Sequence, residues 1–336
     1  MYLYSRIYPL WGTCKEKTAL TATAIAITFS ALALAEALYL YIARKAGIAA
    51  GVEARSSHRR PVVSGGGVVF YFAMAAWWIW SGGADPSFFL GCSLVAFIRF
   101  VDDVHPLSVE ARLLIQFLGV IVAFAGCPYA ATLSPPAVGA AILFGVGFIN
   151  GWNFMDGING MCAGYTLLTL CTLLVIDLGC YGTFVDPGLL ECGIMAAAVL
   201  AWCNFRRRAL CFAGDVGSLT SAFIVLYALS RLMISTGSIM WLGLVAVYGV
   251  DVTLTIVHRI ILQQNIFRPH RMHLYELLAN EGGHSHLRIS ACYIALQAAI
   301  NTGLYLWPGN PYIYLGAVLA ILSAIYIAVV RRLYKG

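Results

Sequence analysis

Five short polar segments interrupt an otherwise apolar chain of 336 residues, and their side chains suit chemistry on charged oxygens. The first is Phe100-Val101-Asp102-Asp103-Val104-His105. Adjacent carboxylates at the end of an apolar run repel each other. They persist where a cation offsets them, where one is held protonated as an acid/base group, or where a helix end simply meets water. The second, Asn153 to Gly160, sets Asn153, Asp156 and Asn159 among the glycines at 157 and 160. Glycines let backbone amides approach a ligand closely, and an Asp there can reach a metal ion, a ribose or a base edge; a plain turn also uses Asn and Gly.

In the third segment, Phe212-Ala213-Gly214-Asp215-Val216-Gly217-Ser218, Asp215 opens an apolar run. A helix N-terminus there would give the carboxylate a place for Mg²⁺ and turn free amides toward phosphate oxygens, or Asp215 would be an ordinary N-cap. The fourth, Pro269-His270-Arg271-Met272-His273-Leu274-Tyr275-Glu276, lacks the His-Glu-x-x-His of a zinc protease. Its His and Arg suit anionic oxygens, and if helical it places His270 and His273 on one face; the alternative is a solvated basic loop. The fifth, Arg55 to Gly67, includes His58 and three glycines running into a helix, a loop able to pass close to a phosphate. It is not a Walker loop, because Lys-Ser/Thr is missing.

The elements that hold these segments are spans. The chain is 61% hydrophobic and 11% charged, with a mean hydropathy of +0.82, against about 25% charged in soluble domains. Apolar runs fall near 18–43, 66–81, 87–101, 113–126, 137–152, 161–178, 188–205, 217–233, 238–261, 289–306 and 311–330. Only helices satisfy the backbone in lipid over such lengths. The expectation is an all-α polytopic integral membrane protein with ten or eleven transmembrane helices, the run at 66–81 being the short one. Residues 1–336 then form one transmembrane catalytic domain. The first run is expected to be a span, not a removed signal peptide. The ten cysteines occur singly, without a Cys-x-x-Cys pair, and read as small core residues.

Connections after odd-numbered spans, with the C-terminal tail, hold 17 of the 21 Lys and Arg, from Arg44 to Lys335. The positive-inside rule puts that side in the cytoplasm, although the N-terminal tail with Arg6, Lys15 and Lys17 dissents. All seven histidines and Asp102, Asp103, Asp156 and Asp215 lie on the same side. A phosphate-bearing substrate with Mg²⁺ accounts for both signs of charge, because the cation bridges carboxylate and phosphate oxygens. Work at a membrane surface implies that one substrate is a lipid.

In this order and on the same side, these motifs resemble the polyprenyl-phosphate N-acetylhexosamine-1-phosphate transferases, relatives of the phospho-N-acetylmuramoyl-pentapeptide transferase, over roughly residues 45–290. The resemblance implies transfer of a sugar 1-phosphate from a UDP-N-acetylhexosamine to polyprenyl phosphate, with UMP leaving. Mg²⁺ is the implied cofactor, with Mn²⁺ an acceptable substitute. It implies a bacterial inner (plasma) membrane protein whose site faces the cytoplasm. No nucleic-acid partner is implied, and a homodimer is left open. Carried over residue by residue, Asp102 and Asp103 match the paired Asp, one a base toward the lipid phosphate and one near the metal. Asp215 matches the Mg²⁺ ligand and Asp156 an essential Asp near the nucleotide. Asn159 and Phe212 match the uracil pocket, Asn153 and His58 join the substrate-binding set, and His270, Arg271 and His273 match a His-rich loop toward the sugar or diphosphate. Asn159 stands where many members have Asp, and His270-Arg271-Met272-His273 replaces the three consecutive His of the peptidoglycan enzyme, which argues against a muramoyl-pentapeptide substrate.

A transporter is the rival class, since Glu36 and Asp251 lie inside apolar runs where ionisable groups signal function. A transporter gathers polar groups at the bilayer midplane, whereas these gather at one surface. The Gly-x-Gly-Asp of an intramembrane aspartyl protease and the Asp-Gly-x-x-Ala-Arg of CDP-alcohol phosphotransferases are both missing.

Overall fold

The computed structural model describes residues 19–50, 62–105, 107–127, 133–179, 183–266 and 270–333, with backbone alone at 49, 50, 103 and 104. His58 lies outside the described residues, as does the side chain of Asp103. A helix stands at each of the eleven expected places: α1 (Ala22–Ala46), α2 (Val69–Trp80), α3 (Pro86–Val104), α4 (Val109–Ala125), α5 (Pro135–Asn153), α6 (Met161–Asp177), α7 (Pro187–Asn204), α8 (Gly214–Thr236), α9 (Ala246–Ile261), α11 (His286–Leu306) and α12 (Pro311–Leu333). A short α10 (Leu274–Asn280) lies in the connection after α9. A 3₁₀ turn at Gly66–Val68 precedes α2, and another at Ile239–Val245 precedes α9.

By length and composition seven of these helical segments can cross a membrane: α1, α5, α7, α8, the 3₁₀ turn joined to α9, α11 and α12. The stretch ending in α2 and the helix α6 are apolar but shorter. The chain is a multi-pass all-α membrane protein.

Local chemistry explains the boundaries. Proline, whose missing N–H is no loss in a first turn, opens α3, α5 and α7. Thr21 Oγ1 caps α1 by accepting from the Ala24 amide at 3.2 Å, and Ser108 Oγ does the same for Ala111 in α4. Gly47, at φ +69°, ends α1 in the left-handed conformation.

Burial is graded from centre to rim. α7 and α8 are wrapped by other helices, whereas α1 and α12 leave most of their surface outward. Outward positions are large and apolar, such as Leu34, Ile79, Phe97, Trp202 and Ile313. On α9 the buried face includes Asp251, Thr255 and Arg259, spaced by four residues, while Val257, Ile260 and Ile261 are exposed. A helix with polar side chains inward and apolar ones outward suits lipid.

Two-residue strands, β1 (Ala49–Ala50) and β2 (Val62–Val63), pair antiparallel. Val63 also bridges in parallel to Cys211, and the amides of Gly66 and Gly67 donate to the carbonyls of Phe212 and Ala213, each at 2.9 Å. Gly67 crosses Gly217 so closely that a Cβ on Gly67 would sit 2.5 Å from the Gly217 Cα. The phosphate cradle expected of Gly65–Gly67 is therefore not what Gly66 and Gly67 form. Both are buried, their amides are used by backbone, and they let one chain segment lie directly on another.

Candidate functional site

Asp215 is the hub. It lies in the first turn of α8 with its side chain 40% exposed, its Oδ2 2.9 Å from an Arg99 guanidinium nitrogen and its Oδ1 accepting from Asn153 Nδ2 at 3.2 Å. Asn153, the last residue of α5, also donates to Ser218 Oγ at 2.6 Å. Asp156 Oδ2 accepts from the Gly214 amide at 3.1 Å, so it caps α8 from across the site. That amide, expected to be free for phosphate, is used. Gly214 itself holds φ +67°, with Gly65 pressed against its Cα, which leaves no room for a side chain.

Arg99 joins two of the expected carboxylates. It is 6% exposed, and its Nη1 reaches Asp102 Oδ2 at 3.5 Å as well as Asp215. Arg112, near the start of α4, meets the same Asp102 oxygen at 3.1 Å, and the Leu107 amide donates to Asp102 Oδ1 at 2.8 Å. Every Asp102 oxygen is thus engaged, which places Asp102 to hold two guanidiniums in position. Arg99 and Arg112 read in the sequence as topology charges. The missed signal was an arginine inside the apolar run of α3, three residues before Asp102.

Asp156 and Asp215 form a like-charge pair. Burial, and second the Asp215 carboxylate, push Asp156 up to about 8, against the smaller opposing effect of the Gly214 amide. Two neighbouring carboxylates, one of them open to solvent, are an all-oxygen donor set of the kind that takes Mg²⁺ through one or two carboxylates with substrate phosphates completing the shell.

The histidine segment stands beside this hub without forming the expected helix face. His270 is irregular and His273 is the N-cap of α10. Their rings nevertheless lie 4.9 Å apart and flank Phe154, at 6.2 and 5.9 Å. His270 is half-buried, and desolvation, with His273 and Arg259 adding to it, pushes its imidazole down to about 3, so it is neutral at pH 7. His273 is 2% exposed and stacks on Tyr275. Arg271 is exposed.

Asp251 clamps this segment. Its Oδ1 accepts from the Leu274 amide (2.8 Å) and its Oδ2 from the Tyr275 amide (3.3 Å) and Tyr293 Oη (2.7 Å). His273 Nδ1 is 3.5 Å from Oδ1. Asp251, one of the two residues that raised the transporter reading, is an anchor for α10. Tyr275 carries the linkage onward: its Oη donates to the Phe154 carbonyl at 2.8 Å, and its ring fills the space left by Gly157.

Asn159 and Phe212 are structural neighbours of the hub. Asn159 is 7% exposed, its Nδ2 donates to the Arg206 carbonyl at 2.8 Å, and its own carbonyl accepts from Ser290 Oγ at 2.8 Å. It ties the 153–160 segment to the arginine loop and to α11. Phe212 holds the backbone bridge to Val63, its amide donating to the Val63 carbonyl at 2.9 Å. The structure therefore brings Asn153 and Asp156 to Asp215 at the start of α8, with Arg99 linking Asp215 to Asp102, and sets His270 and His273 beside Phe154, next to Asn153.

On the opposite end, carboxylates serve the backbone and a tyrosine. Asp177 Oδ1 accepts from the Phe184 and Val185 amides, and Asp85 accepts from Tyr227 Oη.

Comparison with known proteins points the same way. Residues 86–233 match the family described as "Glycosyl transferase family 4", a stretch that includes Arg99, Asp102, Asn153, Asp156 and Asp215. The chain is similar to the undecaprenyl-phosphate alpha-N-acetylglucosaminyl 1-phosphate transferase of Escherichia coli (strain K12), 26% identical over 297 residues and 78% of each chain. It is similar to the probable undecaprenyl-phosphate N-acetylglucosaminyl 1-phosphate transferase of Bacillus subtilis (strain 168), 26% identical over 221 residues and 61% of each chain. The decaprenyl-phosphate N-acetylglucosaminephosphotransferase of Mycobacterium leprae (strain TN) is 27% identical over 215 residues, 56% of this chain and 53% of that one.

Proposed function

We propose that this chain, whose residues 86–233 match glycosyl transferase family 4, transfers an N-acetylhexosamine 1-phosphate from a UDP-sugar to a polyprenyl phosphate and releases UMP. An oxygen of the lipid phosphate forms the new bond to the sugar-bearing phosphorus, and the bond from that phosphorus to the oxygen shared with UMP breaks. The observation that supports this reading best is the meeting of Asn153, Asp156 and Asp215 at the start of α8, joined to Asp102 by the buried Arg99. A diphosphate and a phosphomonoester bring several negative charges together, and Arg99 and Arg112, with a cation when one is bound, would face them.

Mg²⁺, or Mn²⁺ in its place, would be held by Asp215 with Asp156. When bound it supplies charge neutralisation for phosphate oxygens. Asn153 fixes the Asp215 rotamer and Asp102 fixes Arg99 and Arg112. Asp103 is the remaining member of the pair for the lipid phosphate. Neutral His270 with charged Arg271 borders the hub where the sugar diphosphate would lie. For the isoprenoid chain, an apolar groove of about 590 Å³ runs between α5 and α9, lined by Phe148, Trp152, Tyr248 and Val252 among others. The charge asymmetry supports a site on the cytoplasmic side of a bacterial plasma membrane.

The test is UMP release by purified protein given Mg²⁺, polyprenyl phosphate and a panel of UDP-sugars. Release that needs both the lipid phosphate and one UDP-N-acetylhexosamine is expected; no release with any member of the panel refutes the reading.

A further inference from the structure

Away from the hub, three metal-ligating side chains from three separate elements converge in the interior. Glu36 of α1, Cys203 in the last turn of α7 and Cys211 in the segment leading into α8 are 2%, 6% and 0% exposed. One ligand atom from each lies within 4.8 Å of the other two. Cys211 Sγ donates to Glu36 Oε1 at 3.3 Å, while Glu36 Oε2 is buried with no hydrogen-bond partner among the described residues. An unpartnered carboxylate oxygen away from water is costly, and a cation is the partner that satisfies it most fully.

The surroundings hold this cluster rather than fill it. A Cβ on Gly66 would collide with Cys211 Sγ and sit 2.8 Å from Glu36 Oε1, so the space beside both ligands depends on glycine. The two cysteines are fixed by backbone: the Leu210 amide donates to the Cys203 carbonyl at 2.9 Å, and Asn204 Nδ2 to the Cys211 carbonyl at 2.8 Å. Two thiolates and a carboxylate around a divalent ion leave one net negative charge. Arg44 and Arg206 lie within electrostatic reach of Cys203 to offset it.

We propose that Glu36, Cys203 and Cys211 form a binding site for Zn²⁺, separate from the carboxylate hub. Two sulfurs select a thiophilic ion over Mg²⁺ or Ca²⁺, and three protein ligands match zinc centres that keep one coordination position open. The ion ties α1 and α7 to the segment that begins α8, four residues before Asp215. No sequence pattern marks it, because single cysteines eight residues apart with a distant Glu match no zinc spacing.

The reduced, chelator-stripped full chain in detergent, held in millimolar Mg²⁺ to fill all-oxygen sites, is titrated with Co²⁺ as the spectroscopic stand-in. One Co²⁺ per chain is expected, with an intense near-ultraviolet sulfur-to-cobalt band that Zn²⁺ abolishes. Cys203→Ser and Cys211→Ser should each cut that band by about half, as one of two thiolates is lost, and Glu36→Gln should keep it but weaken binding at least tenfold. No sulfur band in the wild-type chain at micromolar Co²⁺, or a band unchanged in the double Cys203→Ser/Cys211→Ser variant, overturns the site. A second measurement needs no variant: Zn²⁺ should protect Cys203 and Cys211 from alkylation, read by peptide mass spectrometry. Equal alkylation with and without Zn²⁺ also overturns it.

Discussion

Replacing Asp251 by Asn removes one negative charge and one acceptor oxygen from a side chain that is 2% exposed. The asparagine oxygen is expected to keep the Leu274 amide, now 2.8 Å from Oδ1. Its NH₂ then replaces Oδ2 and faces the Tyr275 N–H donor across 3.3 Å, while the Tyr293 hydroxyl can turn and accept. One charge-assisted bond is lost outright and others are weakened. At about 1.5–3 kcal/mol per bond to a charged group, the expected cost is about 2–4 kcal/mol, concentrated on the docking of α10. Because each 1.4 kcal/mol is tenfold in an equilibrium, kcat/KM for the UDP-sugar should fall by up to roughly 700-fold, together with a lower melting temperature in detergent. Tyr293→Phe removes only one of these bonds and should cost about 1.5–3 kcal/mol. The two substitutions share Oδ2, so the double variant should be less impaired than the sum of the singles. Melting curves and initial rates of UMP release measure both effects. If Asp251→Asn keeps its melting temperature and its rate within twofold, the clamp is not what holds the histidine segment.

At the glycine crossing, Gly67→Ala puts a methyl group against the Gly217 backbone and should cost about 1–3 kcal/mol while displacing the first turn of α8; unchanged activity and melting would show that the crossing tolerates separation. Asp215→Asn should cut UMP release at least about hundredfold, about 2.7 kcal/mol of transition-state stabilisation, and chelation of Mg²⁺ should stop the wild-type reaction. Near wild-type turnover of that variant at limiting Mg²⁺ contradicts the assignment. Burial pushes the Glu276 carboxyl up to about 7, against the lowering influence of His273. The folded chain therefore holds a proton between its ordinary range and pH 7 that the unfolded chain has lost. Its contribution to stability is full below about 4.5 and is lost as pH rises through 7. Glu276→Gln, which mimics the protonated form, should match wild type near pH 5 and melt higher above pH 7; parallel melting curves across that range would exclude the effect.

Helix placement was legible because lipid imposes a local rule. A span must be apolar over its own length, and Pro and Gly mark where it stops, so the runs read from the sequence correspond to α1–α9, α11 and α12. The gathering of Asp, His and Arg at alternate connections was legible for the same reason, since charge cannot lie elsewhere cheaply. The segments around Asp102, Asp156 and Asp215 announced themselves as dense polar residues beside apolar runs.

Partnership was decided only by the tertiary structure. Arg99 and Asp215 are 116 positions apart, and Asn159 and Ser290 are 131 apart. No periodicity within one helix encodes such pairs. Glycine showed the ambiguity most clearly: Gly66, Gly67 and Gly217 have the composition of a phosphate loop, yet the Gly66 and Gly67 amides bond to backbone carbonyls and the bare Cα atoms of Gly67 and Gly217 pack one backbone on another. In lipid, helices associate through close packing of small residues and hydrogen bonds between polar side chains rather than by hiding apolar surface from water. The hydropathy pattern therefore says where each helix lies but not which helices touch. The reciprocal fit of Gly67 on Gly217 and the bridge of Arg99 between Asp102 and Asp215 settle that, and with it which carboxylates can act together.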